Sequence, residues 1–206
     1  MDVSSRFGVA ELLVVVNTRH GPGGHHGLRA RPGDPMHDHL ADPVEARRFI
    51  EDHHVAVPLG MPGADALVAL RQIRRQVRAL AGDDGRAYPD GHVSPEPTAT
   101  PSDEPAAPSD EPAIRRLFHR YAVCLEPDGT LAPVNDRVGW DAFVADLLPP
   151  LVEVQGAEAR LRMCANPLCR FLFLDRSRNA SRVWCEMAVC GNRVRGSRHR
   201  LRHRAV

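Results

Sequence analysis

Apolar residues crowd the stretch Val9 to Val16, a valine-rich run that fits either a buried strand or the start of a helix. Asn17 to Asp38 then loses all periodicity. It mixes Gly and Pro with His20, His25, His26 and His37 and reads as a loop. Asp42-Pro43-Val44-Glu45 carries the marks of a helix start: Asp42 as N-cap, Pro43 in the first turn, and Glu45 placed to reach back as in a capping box. That helix should run to about His53. A second helix fits Ala64 to Ala81, with Leu67, Leu70, Ile73 (or Arg74), Val77 and Leu80 on one face and Gly82 as its stop. Its Arg71, Arg74, Arg75 and Arg78 are expected on a solvated face.

The pattern then breaks. Between Asp83 and Pro112 prolines and acids dominate, and PSDEPAA at 101–107 is followed by PSDEPAI at 108–114. Such a segment is too polar to bury a face and is expected to form an extended linker or insertion over 83–113. Order is expected to resume at Ile114 with a short helical or extended stretch through Tyr121 and Cys124. Pro127-Asp128-Gly129-Thr130 marks a hairpin turn. Asp136 to about Gln155 has helical spacing through Trp140, Phe143, Val144, Leu147, Leu148 and Leu151, bent or broken at Pro149-Pro150. The expected fold class is α+β: a mainly helical body over 1–82 and 114–158, followed by a small C-terminal module over 160–206.

Charge sharpens that division. The overall net charge is only +1. From Arg160 onward, however, twelve arginines face only Asp175 and Glu186, a net +10 that leaves −9 for the remainder. A basic, polyanion-facing tail on an acidic body follows. The chain has no lysine, so every fixed positive side chain is a guanidinium suited to phosphate, although a GC-rich genome gives the same bias. The longest apolar run near the start is too short for a signal segment or a membrane span, which leaves a cytoplasmic location as the default.

In a reducing compartment clustered cysteines read as metal ligands. Cys164-x4-Cys169, fifteen residues, and Cys185-x4-Cys190 make two symmetrical pairs. Each pair can deliver two thiolates from one tight turn, which is what tetrahedral Zn2+ requires. Buried thiols or disulfides, and an iron–sulfur cluster, are the weaker alternatives. Leu161 and Met163 before the first pair, and Phe171 to Leu174 after it, suggest a strand–knuckle–strand hairpin. The second pair leads into an arginine-rich segment read as a helix. The order resembles a treble clef, with a zinc ribbon as the other possibility.

The segment CANPLCRFLFLDRSRNASRVWCEMAVCGNR, Cys164 to Arg193, resembles the CGNR zinc-finger family, whose tetrad is here Cys190-Gly191-Asn192-Arg193. The likeness includes Asp175 to Asn179 and the step Trp184-Cys185. It departs at Glu186, where a small polar residue is usual. More loosely, Val16-Asn17-Thr18-Arg19 and the Asp42-Pro43 helix start resemble the ABATE domain that precedes this finger. The resemblance implies a stress-linked bacterial transcription regulator.

If Met187 to about Arg204 is helical, Met187, Val194 and Leu201 form a narrow apolar stripe that should pack on the hairpin. Arg195, Arg198 and Arg202 then share one exposed face, and Arg193, Arg200 and Arg204 another. These six are the candidate nucleic-acid contacts. Duplex DNA is the first expectation and RNA the runner-up, because Trp184, Phe171 and Phe173 leave little for base stacking. Docking on another protein, or on the chain's own acidic body, is the alternative to nucleic-acid binding.

Catalysis is not expected, since four cysteines fill a tetrahedral zinc and leave no place for water. His25, His26, His37 and His39 could bind a metal with Asp34 or Asp38, yet no catalytic motif accompanies them. Cys124 reads as a buried apolar thiol with a redox role as the alternative. Asn17 and Arg19 are candidates to line a small-effector pocket, and the helical part is expected to sense or to form a homodimer.

Overall fold

The computed structural model describes residues 7–22, 36–82, 113–134 and 136–204, and of Ala113, Arg198, Leu201, Arg202 and Arg204 the backbone alone. The expected linker, His25, His26 and Asp34 lie outside the described residues.

The first apolar run is a helix, α1 (Val9–Val16). Glu11 reaches back to accept from the Gly8 N–H at 2.9 Å. Leu12, Val15 and Val16 are fully buried. Burial between α3 (Ala64–Leu80) and α6 (Leu148–Gly156) overrides the modest helix propensity of three successive valines. The loop expected after it holds a short antiparallel pair, β1 (Arg19–His20) with β2 (His37–Asp38). A 3₁₀ turn at His39–Ala41 leads to α2 (Pro43–Asp52).

Asp42 caps α2 as expected, its carboxylate accepting from the Val44 and Glu45 N–H groups at 2.8 and 3.0 Å. Glu45 does not close a capping box there; its carboxylate lies 3.5 Å from His39 Nδ1. α3 matches its expected span and ends at Gly82, which adopts φ +71°.

α4 (Ala113–Arg120) leads into the hairpin β3 (Val123–Leu125) and β4 (Leu131–Pro133), closed by the expected turn. The following helical stretch is two helices, α5 (Gly139–Asp146) and α6, and the break falls at Leu147 rather than at the prolines. Pro149 and Pro150 sit in the first turn of α6, where no intrahelical N–H bond is lost.

One core joins α1, α3, α5 and α6. It continues into the last hairpin, β5 (Leu161–Met163) and β6 (Leu172–Leu174), because Leu161 and Leu172 belong to the same buried cluster. No helix among the described residues is long and apolar enough to cross a membrane.

Candidate metal centre and basic helix

The β5–β6 turn builds half of a metal site. Cys164 follows β5, and its N–H bonds to the Phe171 carbonyl at 2.8 Å, which closes the hairpin around the knuckle. Inside the turn the Asn166 carbonyl accepts from the Cys169 and Arg170 N–H groups at 2.9 and 3.2 Å. The Asn166 side chain accepts from Leu168 N–H at 3.1 Å. Arg170 leaves the knuckle with φ +56°. Both thiols thereby point to one side.

The other half comes from a clamped loop and a π turn. Asp175, fully buried, accepts from the Ser177 and Arg182 N–H groups at 2.9 and 2.7 Å. The bonds to Ser177, helped by those to Arg182, hold its carboxyl below the ordinary range. Arg160 donates to the Asp175 and Ser177 carbonyls, Arg162 to Ala180, and Arg182 to Cys185. Cys190 lies in the π turn Met187–Gly191, with its N–H on the Glu186 carbonyl at 2.9 Å.

The four sulfurs of Cys164, Cys169, Cys185 and Cys190 all lie within 4.8 Å of one another. Cys185 Sγ is 3.7 Å from Cys169 Sγ and 3.6 Å from Cys190 Sγ. Zinc–sulfur bonds of about 2.3 Å at tetrahedral angles give sulfur separations of about 3.8 Å, whereas a disulfide needs about 2.05 Å. The spacing therefore fits a Zn2+ tetrathiolate. Hydrogen bonds among the thiols hold Cys164 and Cys190 below the ordinary thiol range and Cys169 and Cys185 above it. A divalent cation at their centre takes all four as thiolates.

Each member of the Cys-Gly-Asn-Arg tetrad has a structural position. Cys190 is a ligand. A Cβ on Gly191 would press on Met187 Sδ and stand 3.2 Å from Trp184 Cδ1. Asn192 Nδ2 donates to the Ala188 carbonyl at 3.0 Å. Arg193 opens the basic helix, α7 (Asn192–Arg204), which continues directly from the π turn. The order of elements is hairpin, π turn, helix, with Cys164 and Cys169 on the knuckle and Cys185 and Cys190 on the approach to the helix.

Several expectations for this region need correction. Met187 is 51% exposed, so the expected apolar stripe does not pack on the hairpin through it. Arg195 and Arg200 are exposed on α7 and Arg193 is half-buried, while the side chains of Arg198, Arg202 and Arg204 lie outside the described residues. Four of the arginines behind the +10 charge, Arg160, Arg162, Arg170 and Arg182, are engaged in building the finger.

Asn17 does not face a ligand pocket. It is buried, and its side chain donates to the Leu172 carbonyl at 2.9 Å and accepts from the Leu172 N–H at 2.7 Å. Arg19 lies on β1, where its carbonyl accepts from Arg78 at 2.9 Å. Nor do the α3 arginines form a solvated face. Arg74 is 3% exposed and forks onto both Asp38 oxygens at 2.5 and 2.8 Å. Arg71 donates to the Leu40 carbonyl, and only Arg75 of the four is exposed. Burial pushes the Asp38 carboxyl up, but Arg74 and the Leu40 N–H outweigh it and hold it below its ordinary range. That commitment also removes Asp38 as a free metal ligand.

Cys124 is half-buried rather than buried. Its thiol donates to Glu126 at 3.2 Å, and that bond, with burial and the Glu126 charge, raises its pKa, the reverse of a reactive thiolate.

Fold and site together define a helical domain fused to a C-terminal tetracysteine zinc finger. Residues 160–203 match the CGNR zinc finger family, and residues 12–166 match the ABATE family, described as "Putative stress-induced transcription regulator". The chain belongs to the ABATE family. No curated protein matches it.

Proposed function

We propose that the chain is a transcription regulator that binds duplex DNA through the arginine helix held by its zinc finger, and that it has no catalytic role. The observation that carries this reading is the position of α7. The helix begins two residues after the ligand Cys190 and holds no acidic residue. The metal thus fixes the origin of a purely cationic helix on which Arg195 and Arg200 are exposed. Arg176 and Arg178 are also exposed on the finger and add positive charge to it. Phe171 and Phe173 are buried, which favours a duplex over a stacked single strand. Four thiolates complete the zinc shell and leave no open position for water, which supports a structural metal.

The test is fluorescence anisotropy with the zinc-loaded full-length chain, using duplex DNA and single-stranded RNA of equal length at rising salt. Contact with about five phosphates makes log K fall by about 4 to 5 per tenfold rise in salt. Tighter duplex binding with that slope, lost on chelation, supports the reading. Tighter RNA binding, or no binding above micromolar affinity at low salt, overturns it.

A further inference from the structure

A second set of ligand-type side chains lies outside the cysteine cluster. His20, 5% exposed, meets the rings of His37 and His39 at centroid separations of 5.4 and 5.2 Å, and His37 and His39 are 6.0 Å apart. His20 Nδ1 is 2.7 Å from the Gly21 carbonyl oxygen. A carbonyl only accepts, so Nδ1 carries the hydrogen, and in the neutral ring Nε2 is bare. His39 Nδ1 faces the Glu45 carboxylate at 3.5 Å, which places its hydrogen in the same way. The two Nε2 atoms face each other at 3.2 Å. Two lone pairs at that distance repel unless a cation, a proton or a metal ion, lies between them.

We propose that His20 and His39 are ligands of a second divalent transition-metal site, separate from the four cysteines, with His37 turning in as a third imidazole. Three points carry it. Two nitrogens held at about 2.0–2.1 Å from a tetrahedral metal stand about 3.3–3.4 Å apart, close to the separation seen. Each ring anchors its other N–H on an oxygen acceptor, the arrangement that orients metal-binding histidines. Imidazole donors select Zn2+, Ni2+, Cu2+ or Co2+ over Mg2+ and Ca2+.

Asp38, between two of these histidines, contributes nothing because Arg74 holds both its oxygens. Among the described residues only the four cysteines bring three or more ligand atoms within 4.8 Å of one another. His37 therefore reaches the third position by rotating its side chain, which its exposure on β2 permits. Phe49 stacks on His39 at 4.4 Å and shares a buried cluster with Cys164, Cys169 and Cys190. The proposed site therefore stands against the wall of the zinc centre.

The test is calorimetric titration of Ni2+ into the full-length chain already holding one equivalent of Zn2+. The parent should take one further equivalent. His39→Gln should lose it and His37→Ala should weaken it about tenfold or more, each still holding its zinc as proof of an intact fold. A double His199→Gln, His203→Gln variant should keep it, although those rings also approach to 3.1 Å on α7. The proposal is overturned if the parent takes no further ion, which leaves a shared proton only. It is equally overturned if His39→Gln and His37→Ala both retain the ion, or if the α7 variant loses it.

Discussion

Asn17 and Leu172, 155 positions apart, exchange two hydrogen bonds: the Asn17 amide reads the N–H and the carbonyl of one residue on β6, at 2.7 and 2.9 Å. The end of α1 is thereby locked to the second strand of the zinc hairpin in a site closed to water. Asn17→Ala leaves a buried donor and a buried acceptor without partners. Each unmet group costs about 1–3 kcal/mol, so urea unfolding should show a loss of at least about 2 kcal/mol. A loss under half that would mean water replaces the amide.

The same junction makes the zinc part of the whole fold. Leu161 and Leu172 belong to the main core, while Phe171 and Phe173, on the opposite side of the hairpin, pack with the cysteines and Phe49. Structural zinc contributes on the order of 10 kcal/mol to small modules, comparable with the total stability of about 5–15 kcal/mol of an ordinary domain. Chelation should therefore unfold α1, α3 and α6 along with the finger. Trp140 reports on the body, packed on Phe143 with its indole N–H on the Gly60 carbonyl, and Trp184 reports on the finger. Near-ultraviolet circular dichroism of Trp184→Phe isolates the Trp140 signal. Its survival after chelation would show a body that stands without the metal.

Gly21 is a second point where backbone of the two parts meets closely. Its N–H bonds to the Cys169 carbonyl at 2.8 Å, and a Cβ there would lie 2.6 Å from the Leu168 carbonyl carbon. Backbone atoms cannot swing aside as a side-chain tip does. Gly21→Ala must push the knuckle off β1, at a cost of about 1–3 kcal/mol. The displacement should also weaken zinc retention against a competing chelator. Unchanged zinc affinity would show that the knuckle moves as a rigid unit.

The finger was legible in the sequence because its chemistry is local: two thiolates per tight turn fix the spacing of Cys164, Cys169, Cys185 and Cys190. α2 and α3 were legible for a similar reason, since Asp42, Pro43 and Gly82 act within one turn of themselves. What was missed depends on distant partners. Arg74 and Arg78 looked solvated because nothing near them in sequence neutralises a guanidinium; Asp38 and the Arg19 carbonyl arrive through the fold. Asn17 invited a ligand-pocket reading because an amide at the end of an apolar run needs partners, and those partners lie on β6. The sign that was available for Asp175 was an acid set alone among arginines.

Asp38 and Arg74 make a pH-resolved test. Because the folded carboxyl is held below its value of 3.8 in the open chain, the unfolded state takes up a proton first as pH falls. The contribution is therefore fully present above about pH 5 and is lost progressively as pH falls through 3.8 to the lower, folded value. Arg74→Met removes one partner of a largely buried pair and should cost about 3 kcal/mol. Without Arg74, burial raises the Asp38 carboxyl of the variant, so the cost should shrink as pH falls from about 8 toward about 5 and the variant takes up a proton. A cost that stayed level across this window would mean that the Leu40 N–H and Arg19 hold Asp38 ionised without Arg74.

Finally, the arginines of the finger should divide by role. Arg195 is exposed on α7. If it meets a phosphate, Arg195→Ala should weaken binding to all duplex sequences alike and reduce the salt slope by about 0.9. Arg162 spends its guanidinium on the Ala180 carbonyl. Arg162→Ala should therefore lower finger stability while leaving the slope of the folded fraction unchanged. The two effects are separated by measuring thermal unfolding and salt-dependent anisotropy on the same samples. A slope that fell for Arg162→Ala and held for Arg195→Ala would move the DNA contact from α7 to the hairpin edge.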